Sequence, residues 1–245
     1  VIKGNTPLQV LAVTGGIMKF LQQLMGDQAF LIMLFGIVLG NFGLSGILST
    51  YQIIPNLIIV ILMTRLSANR DLRAAYKYSV LAAHASVSVM IAIMVTSNDT
   101  TQIFTNGGVL AFVFGAAFVG FKTFQTYPTS IVLTMSADIT DYETARSGRF
   151  VSGLIGTVFS LTDSIASSLA PIVIGWIVAG MGYTDTYPQP KEALSPEVFN
   201  GLLIILGIIT VFYVVVLFLL RKYPLDKEAM KKVQQQIADK KAKGE

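Results

Sequence analysis

The chain has 245 residues, 53% of them hydrophobic and only 13% charged, with a formal net charge of +4 and a mean hydropathy of +0.65. An ordinary soluble domain carries about 25% charged residues, so a water-soluble globule is excluded, and nothing in the composition points to nucleic acid as a partner. Cysteine is absent and histidine occurs once, at His84, which excludes disulfides, thiolate metal sites and multi-histidine centres.

Opening on Val1 rather than Met, the chain is expected to be a fragment of a longer protein. Its apolar runs predict six membrane spans, helical because the bilayer offers no partners for unpaired backbone groups. Residues 7–16 are apolar, and Gly15-Gly16 is expected to break them into a surface-lying or tilted lead-in to the first span, Ile17–Leu39. Lys19 then lies near a membrane surface and snorkels, whereas Asp27 falls inside the span. The turn Gly40-Asn41-Phe42-Gly43 leads to the second span, Leu44–Leu66, which is interrupted by Ser49-Thr50-Tyr51-Gln52 before Pro55. A first turn at residues 26–28 is the alternative. It would leave a second span of roughly 57 Å at 1.5 Å per residue, against a hydrocarbon core of about 30 Å.

The third span, Ala74–Thr96, contains His84, read as a hydrogen-bonded packing residue. The fourth, Gly107–Met135, carries Lys122, then Gln125, Tyr127 and Thr129, and Pro128 should kink it and free the Phe124 carbonyl. The fifth, Phe150–Gly180, carries Asp163, and the sixth is Asn200–Leu220. Residues 221–245 are a basic tail, read as a solvated helix or frayed end rather than a binder of anionic lipid. Sixteen of the 18 Lys and Arg residues fall on the side shared by both ends, including Lys3, Lys19, Arg65, Arg70, Arg73, Lys77 and a run from Arg221 to Lys243. Lys191 stands on the other side and Lys122 is buried. The positive-inside rule therefore places both termini of this segment in the cytoplasm, in a multi-pass protein of the cell membrane.

Lys122 and Asp163 are full charges inside apolar spans. There an ionised side chain costs at least ~2.5–3.5 kcal/mol on insertion scales and usually marks a pathway or a watery cavity. Each lies roughly 20 Å from the cytoplasmic end of its helix. Helices joined by a short connection are usually neighbours, so the two charges are expected to meet near the midplane, with Asp27 at a similar level. Gln125 can donate and accept, and Tyr127 offers a ring face and a phenol, which suits a hydroxyl-rich solute. Lys122, Asp163, Gln125, Tyr127 and Asp27 are thus the expected substrate contacts. The alternative is that they satisfy one another and serve helix packing alone.

Between spans four and five the chain reads MSADITDYETARSGRFVSG, residues 135–153. Asp138, Asp141, Arg146 and Arg149, with Glu143 among them, form an acid-and-base cluster able to act as a cytoplasmic gate. Exposed pairs are individually weak, but a two-state gate needs only modest biases. This passage resembles the glycoside–pentoside–hexuronide:cation symporters, the melibiose-permease-like branch of the major facilitator superfamily. Their loop runs roughly A-D-x-x-D-Y-x-E, then T-G-x-R-x-E-G. Ala137, Asp138, Asp141, Tyr142, Gly148 and Gly153 match in place. Glu143 comes one position early, Arg149 stands one position before the family's arginine, and Ser152 replaces a glutamate. A G-N/D-x-x-L turn recurs at Gly40–Leu44. The family's cavity lysine and its preceding glutamine correspond here to Ser164 and Asp163.

The resemblance implies an all-α membrane protein whose six transmembrane helices, residues 1–220, form the C-terminal half of a major-facilitator-type transporter as two inverted three-helix repeats. It also implies that the first helix of each repeat, here the spans carrying Asp27 and Lys122, lines the central cavity. The implied function is cation-coupled symport of a sugar or glycoside by alternating access. The partners implied are membrane lipid, a small sugar and the N-terminal six-helix half of the same protein. No cofactor is expected beyond a coupling Na+ or H+, whose main site the resemblance puts in the N-terminal half. A transporter of a non-sugar solute and a non-transporting membrane scaffold are the alternatives. No Ser/His, paired-Asp or metal-ligand constellation supports an enzyme.

Overall fold

The computed structural model describes residues 4–69 and 71–242, with the side chains of 66–69 and 241 excepted. Of the basic residues used for orientation, Lys3, Arg70 and Lys243 lie outside the described residues, as does the Lys241 side chain. Among the described residues five helices are long and apolar enough to traverse a membrane, and the bent pair at the start makes a sixth crossing when counted as one span. Helix starts and ends alternate between a face that holds Thr6 and Leu220, called proximal here, and an opposite, distal face.

The first crossing begins at residue 6, not 17. Helix α1 (Thr6–Gly26) is capped by buried Asn5, whose side chain accepts the Leu8 amide at 2.9 Å, and Pro7 occupies its first turn. It runs unbroken through Gly15-Gly16, because these glycines admit a neighbouring helix rather than end their own. A Cβ at Gly16 would lie 2.5 Å from Thr162 Cγ2. The break comes instead at Asp27, which adopts an extended conformation and caps α2 (Gln28–Leu31) by accepting the Ala29 amide at 2.8 Å. A π-helical segment, Ile32–Val38, continues to the Gly40–Gly43 turn. The parts before and after Asp27 meet at 54°. The chain reverses at 40–43, where Gly40 takes φ +66°, whereas at the competing site, 26–28, it bends.

The second crossing is α3 (Gly43–Tyr51) and α4 (Ile53–Asn69), joined at Gln52, where Pro55 cannot donate to the Tyr51 carbonyl. The third, α5 (Leu72–Thr96), is capped by Asp71, which accepts the Ala74 amide. A short turn, α6 (Gln102–Thr105), leads to α7 (Gly108–Ser147), 40 residues long. The expected turn at 136–149 is mostly helix. Nothing between Ser130 and Ser147 breaks the helix, and Met135, Ile139 and Glu143 bury one face at i, i+4 spacing. Gly148, at φ +70°, supplies the left-handed stop. Pro128 lies inside α7, and the Phe124 carbonyl it leaves free accepts the Ser79 hydroxyl of α5.

Helices α8 (Ser152–Gly180) and α9 (Pro196–Leu220) complete the bundle. The tail forms α10 (Lys227–Ala242) and packs against the proximal end of α7. Met230 and Ile237 are half-buried beside buried Val233, so this is a docked amphipathic helix rather than a solvated or frayed end. The core gathers where α1, α5, α7 and α9 meet, around Leu21, Tyr76, Phe121 and Leu206. Helix α1 packs on both α7 and α8, which touch each other little despite their short connection.

Candidate functional site

A cavity of about 640 Å³ opens between α1, α7 and α8, within the size range of small-molecule sites. Its centre is an ion pair, Lys19 Nζ to Asp163 Oδ1 at 3.3 Å, with the two side chains 30% and 55% exposed. Lys19 stands about 20 Å along α1 and Asp163 about 17 Å along α8 from their proximal ends, so the pair sits at mid-depth. Gln22 follows Lys19 by one helical turn on the same wall. Thr129 of α7 and Ser160, Thr162 and Ser164 of α8 contribute hydroxyls. The proton of each of Thr129, Thr162 and Ser164 is committed to a carbonyl of its own helix, at 2.7, 2.8 and 2.9 Å. What these hydroxyls present to the cavity is lone pairs. The wall thus offers acceptors from α7 and α8, a cation from α1 and a carboxylate from α8.

A deep pair of opposite charge is present, with Lys19 in place of Lys122 as Asp163's partner. Because α1 starts eleven residues earlier than expected, Lys19 moves from the membrane edge to mid-depth. Because α1 lies against both α7 and α8, Lys122 and Asp163 do not meet. Lys122 Nζ donates to the Met25 carbonyl at 3.2 Å, and among the described residues no carboxylate lies within ion-pair distance of it. Gln125 is buried and accepts the Tyr213 hydroxyl at 3.0 Å, facing α9 rather than the cavity. Tyr127 donates its hydroxyl to the Met63 carbonyl of α4 at 3.1 Å. Asp27 is a helix cap beyond the bend. Of the five expected substrate contacts, Asp163 alone lines the cavity.

The expected gate residues divide as well. Asp141 accepts the Gln234 amide of α10 at 2.7 Å. Asp138 shares a crevice with Asp71, Asp226 and Lys231. Burial, reinforced by the Asp138 carboxylate, pushes the neighbouring Tyr223 hydroxyl up. Arg149 makes no ion pair among the described residues. Arg146 pairs with Glu143 at 3.5 Å and donates to the Gly4 carbonyl at 2.7 Å. Glu143 is 3% exposed and also accepts the Asn5 side-chain amide at 2.9 Å. The acid that departs from the family spacing is therefore a buried clasp between the start of α1 and the end of α7. Glu143→Ala strands the buried Asn5 amide at a cost of about 1–3 kcal/mol, while Arg146 keeps the Gly4 carbonyl. Thermal unfolding of the purified protein should show a lower midpoint, with Glu143→Gln, which keeps an acceptor, losing less.

Six crossings, a bent first helix and a polar mid-depth cavity with a paired charge make this an all-α, multi-pass membrane protein with the architecture of half a major-facilitator transporter. The chain belongs to the family described as MFS/sugar transport protein, whose profile matches residues 1–227. It is also 27% identical over 133 residues to YagG of Escherichia coli (strain K12), named as a candidate glycoside/cation symporter. That match covers 54% of this chain and 26% of the length of YagG. The family is one of transporters rather than enzymes.

Proposed function

We propose that this chain is the C-terminal half of a cation-coupled sugar or glycoside symporter of the cell membrane, working by alternating access with its proximal face in the cytoplasm. The observation that carries the reading is the Lys19–Asp163 pair inside a cavity walled by hydroxyl acceptors. A sugar presents many O–H donors and oxygen acceptors, so its donors meet Asp163 and the lone pairs of Thr129, Thr162 and Ser164. Its oxygens accept from Lys19 and Gln22. A partly exposed ion pair is worth about 0–1 kcal/mol, so a polyol can part the two charges at little cost and replace their mutual contact with its own. The orientation rests on the basic residues: with Lys19 now deep, Arg73, Arg146, Arg149 and the α10 lysines still mark the proximal face.

The test is uptake by the full-length carrier in proteoliposomes, with and without an inward Na+ or H+ gradient. Accumulation of a labelled glycoside only under one of the gradients, suppressed by unlabelled glycosides, is the expected result. Uptake that no sugar in the panel suppresses would point to another solute. Uptake indifferent to both gradients would remove the coupling.

A further inference from the structure

The break at Asp27 and the position of Lys122 belong together. Helix α1 ends at Gly26, so the carbonyls of its last turn lack intrahelical donors and carry the negative end of the helix dipole. One of them, the Met25 carbonyl, accepts the Lys122 ammonium at 3.2 Å. On the other side of the break the Asp27 carboxylate accepts the Ala29 amide in the first turn of α2. Each half of the bent crossing therefore has a charge of the right sign at its open end, and the cation is delivered from α7.

Below the break, α1 and α7 are joined a second time, by Asn5 to Glu143 at 2.9 Å and by Gly4 to Arg146 at 2.7 Å. The segments between the two junctions, Asn5 to Met25 and Lys122 to Glu143, run in opposite directions and each spans roughly 30 Å at the helical rise. The two helices are thus pinned at matched ends and form a strut. Above the break the chain is tied to other elements. Gly36 lies under Pro190 of the α8–α9 loop so closely that a Cβ would come within 2.8 Å of Pro190 Cα. The Val38 carbonyl accepts the Thr100 hydroxyl at 2.7 Å. In the same loop Tyr183 and the Gln189 amide donate to Glu192. Burial and then that carboxylate push the Tyr183 hydroxyl up to about 12, so it stays a donor. The π-helical segment also meets α7 directly, through the edge-on contact of Phe35 with Phe118, so the bend at Gly26–Asp27 is held from several sides.

We propose that Lys122 is a positioning residue for transport: a tethered cation that fills the carbonyl end of the broken helix and pins the bend between α1 and the segment that follows Asp27. Discontinuous membrane helices commonly use such ends to hold a mobile cation. Here the side chain of the neighbouring helix occupies that place, so no exchangeable ion is needed to set the bend. Lys122 binds no solute. It fixes the bend at the end of α1, the helix that carries Lys19 and Gln22 into the cavity.

The experiment compares wild type, Lys122→Met and Lys122→Arg in the full-length carrier in lipid nanodiscs. Met fills similar space without a donor, and Arg retains the charge and the donors. Loss of the pin should speed amide hydrogen exchange at residues 27–31 by about tenfold or more in the Met variant, with exchange near wild type in the Arg variant. This measurement needs no substrate, so it stands or falls independently of the transport reading. In proteoliposomes the Met variant should lose about tenfold or more in maximal uptake rate while its half-saturating sugar concentration stays within about threefold of wild type. Methylammonium in the assay should restore part of that rate. Unchanged hydrogen exchange in the Met variant would overturn the proposal. So would a rise in the half-saturating concentration matching the loss of rate, which would return Lys122 to the binding site. If the Met variant fails to assemble, Lys122→Gln is read by the same two measures.

Discussion

Asp163→Asn in the full-length carrier is expected to lower the uptake rate at limiting sugar by about 10–100-fold, equivalent to losing one charge-assisted hydrogen bond of roughly 1.5–3 kcal/mol. Asparagine keeps the size of the side chain and one acceptor but can neither pair with Lys19 nor accept a ligand hydroxyl with full charge. Lys19→Gln should do comparable damage from the other wall. The double variant separates the two roles the pair can play. If the ion pair only fixes α1 against α8, removing both charges leaves no stranded group, and Lys19→Gln/Asp163→Asn should recover most of the wild-type rate. If both side chains touch the sugar, the double variant stays at or below the worse single one. The second outcome is expected, because the pair is partly exposed to the cavity and contributes little to packing. Recovery in the double variant would reduce the pair to a structural contact.

Which lysine lies deep was the hardest feature to read without coordinates, and the reason is physical. Gly15-Gly16 is a plausible helix break in water, where exposed glycine is entropically costly. Between membrane helices the same residues are packing surfaces: Gly15 faces Val132 of α7 and Gly16 faces Thr162 of α8. Starting the helix at residue 17 instead of 6 put Lys19 at the edge and left Lys122 as the prominent charge. The six crossings themselves were legible, because apolar runs of that length have one solution in a bilayer. The freed Phe124 carbonyl was legible too, since the missing N–H of Pro128 is a local fact, and that carbonyl takes the Ser79 hydroxyl. The facing of Gln125 and Tyr127 was not legible. It depends on which helices lie on either side of α7, and those turn out to be α9 and α4. The charged stretch after Met135 looked like a loop because it leaves the apolar run, yet helix needs no lipid to continue, and only Gly148 stops it.

The close approach of α1 and α8 supports a second large effect. At Gly16 any Cβ would stand 2.5 Å from Thr162 Cγ2, well inside van der Waals contact, so Gly16→Ala must part the helices or twist Thr162 off its rotamer. Overpacking of this kind costs about 1–3 kcal/mol. It falls on the residues flanking Lys19 and Asp163, where a shift of a fraction of an ångström lengthens an ion pair already at 3.3 Å. Uptake should therefore drop by about tenfold or more. The clashing atom is the methyl group alone, so Thr162→Ser in the same chain removes it while keeping the hydroxyl that bonds the Val158 carbonyl at 2.8 Å. The pair Gly16→Ala/Thr162→Ser should return uptake to within about threefold of wild type, a non-additivity expected only of residues in direct contact. If serine fails to rescue, the loss at Gly16 comes from the α1 backbone itself. In that case the packing of α1 on α8 would not set the spacing of the two cavity walls.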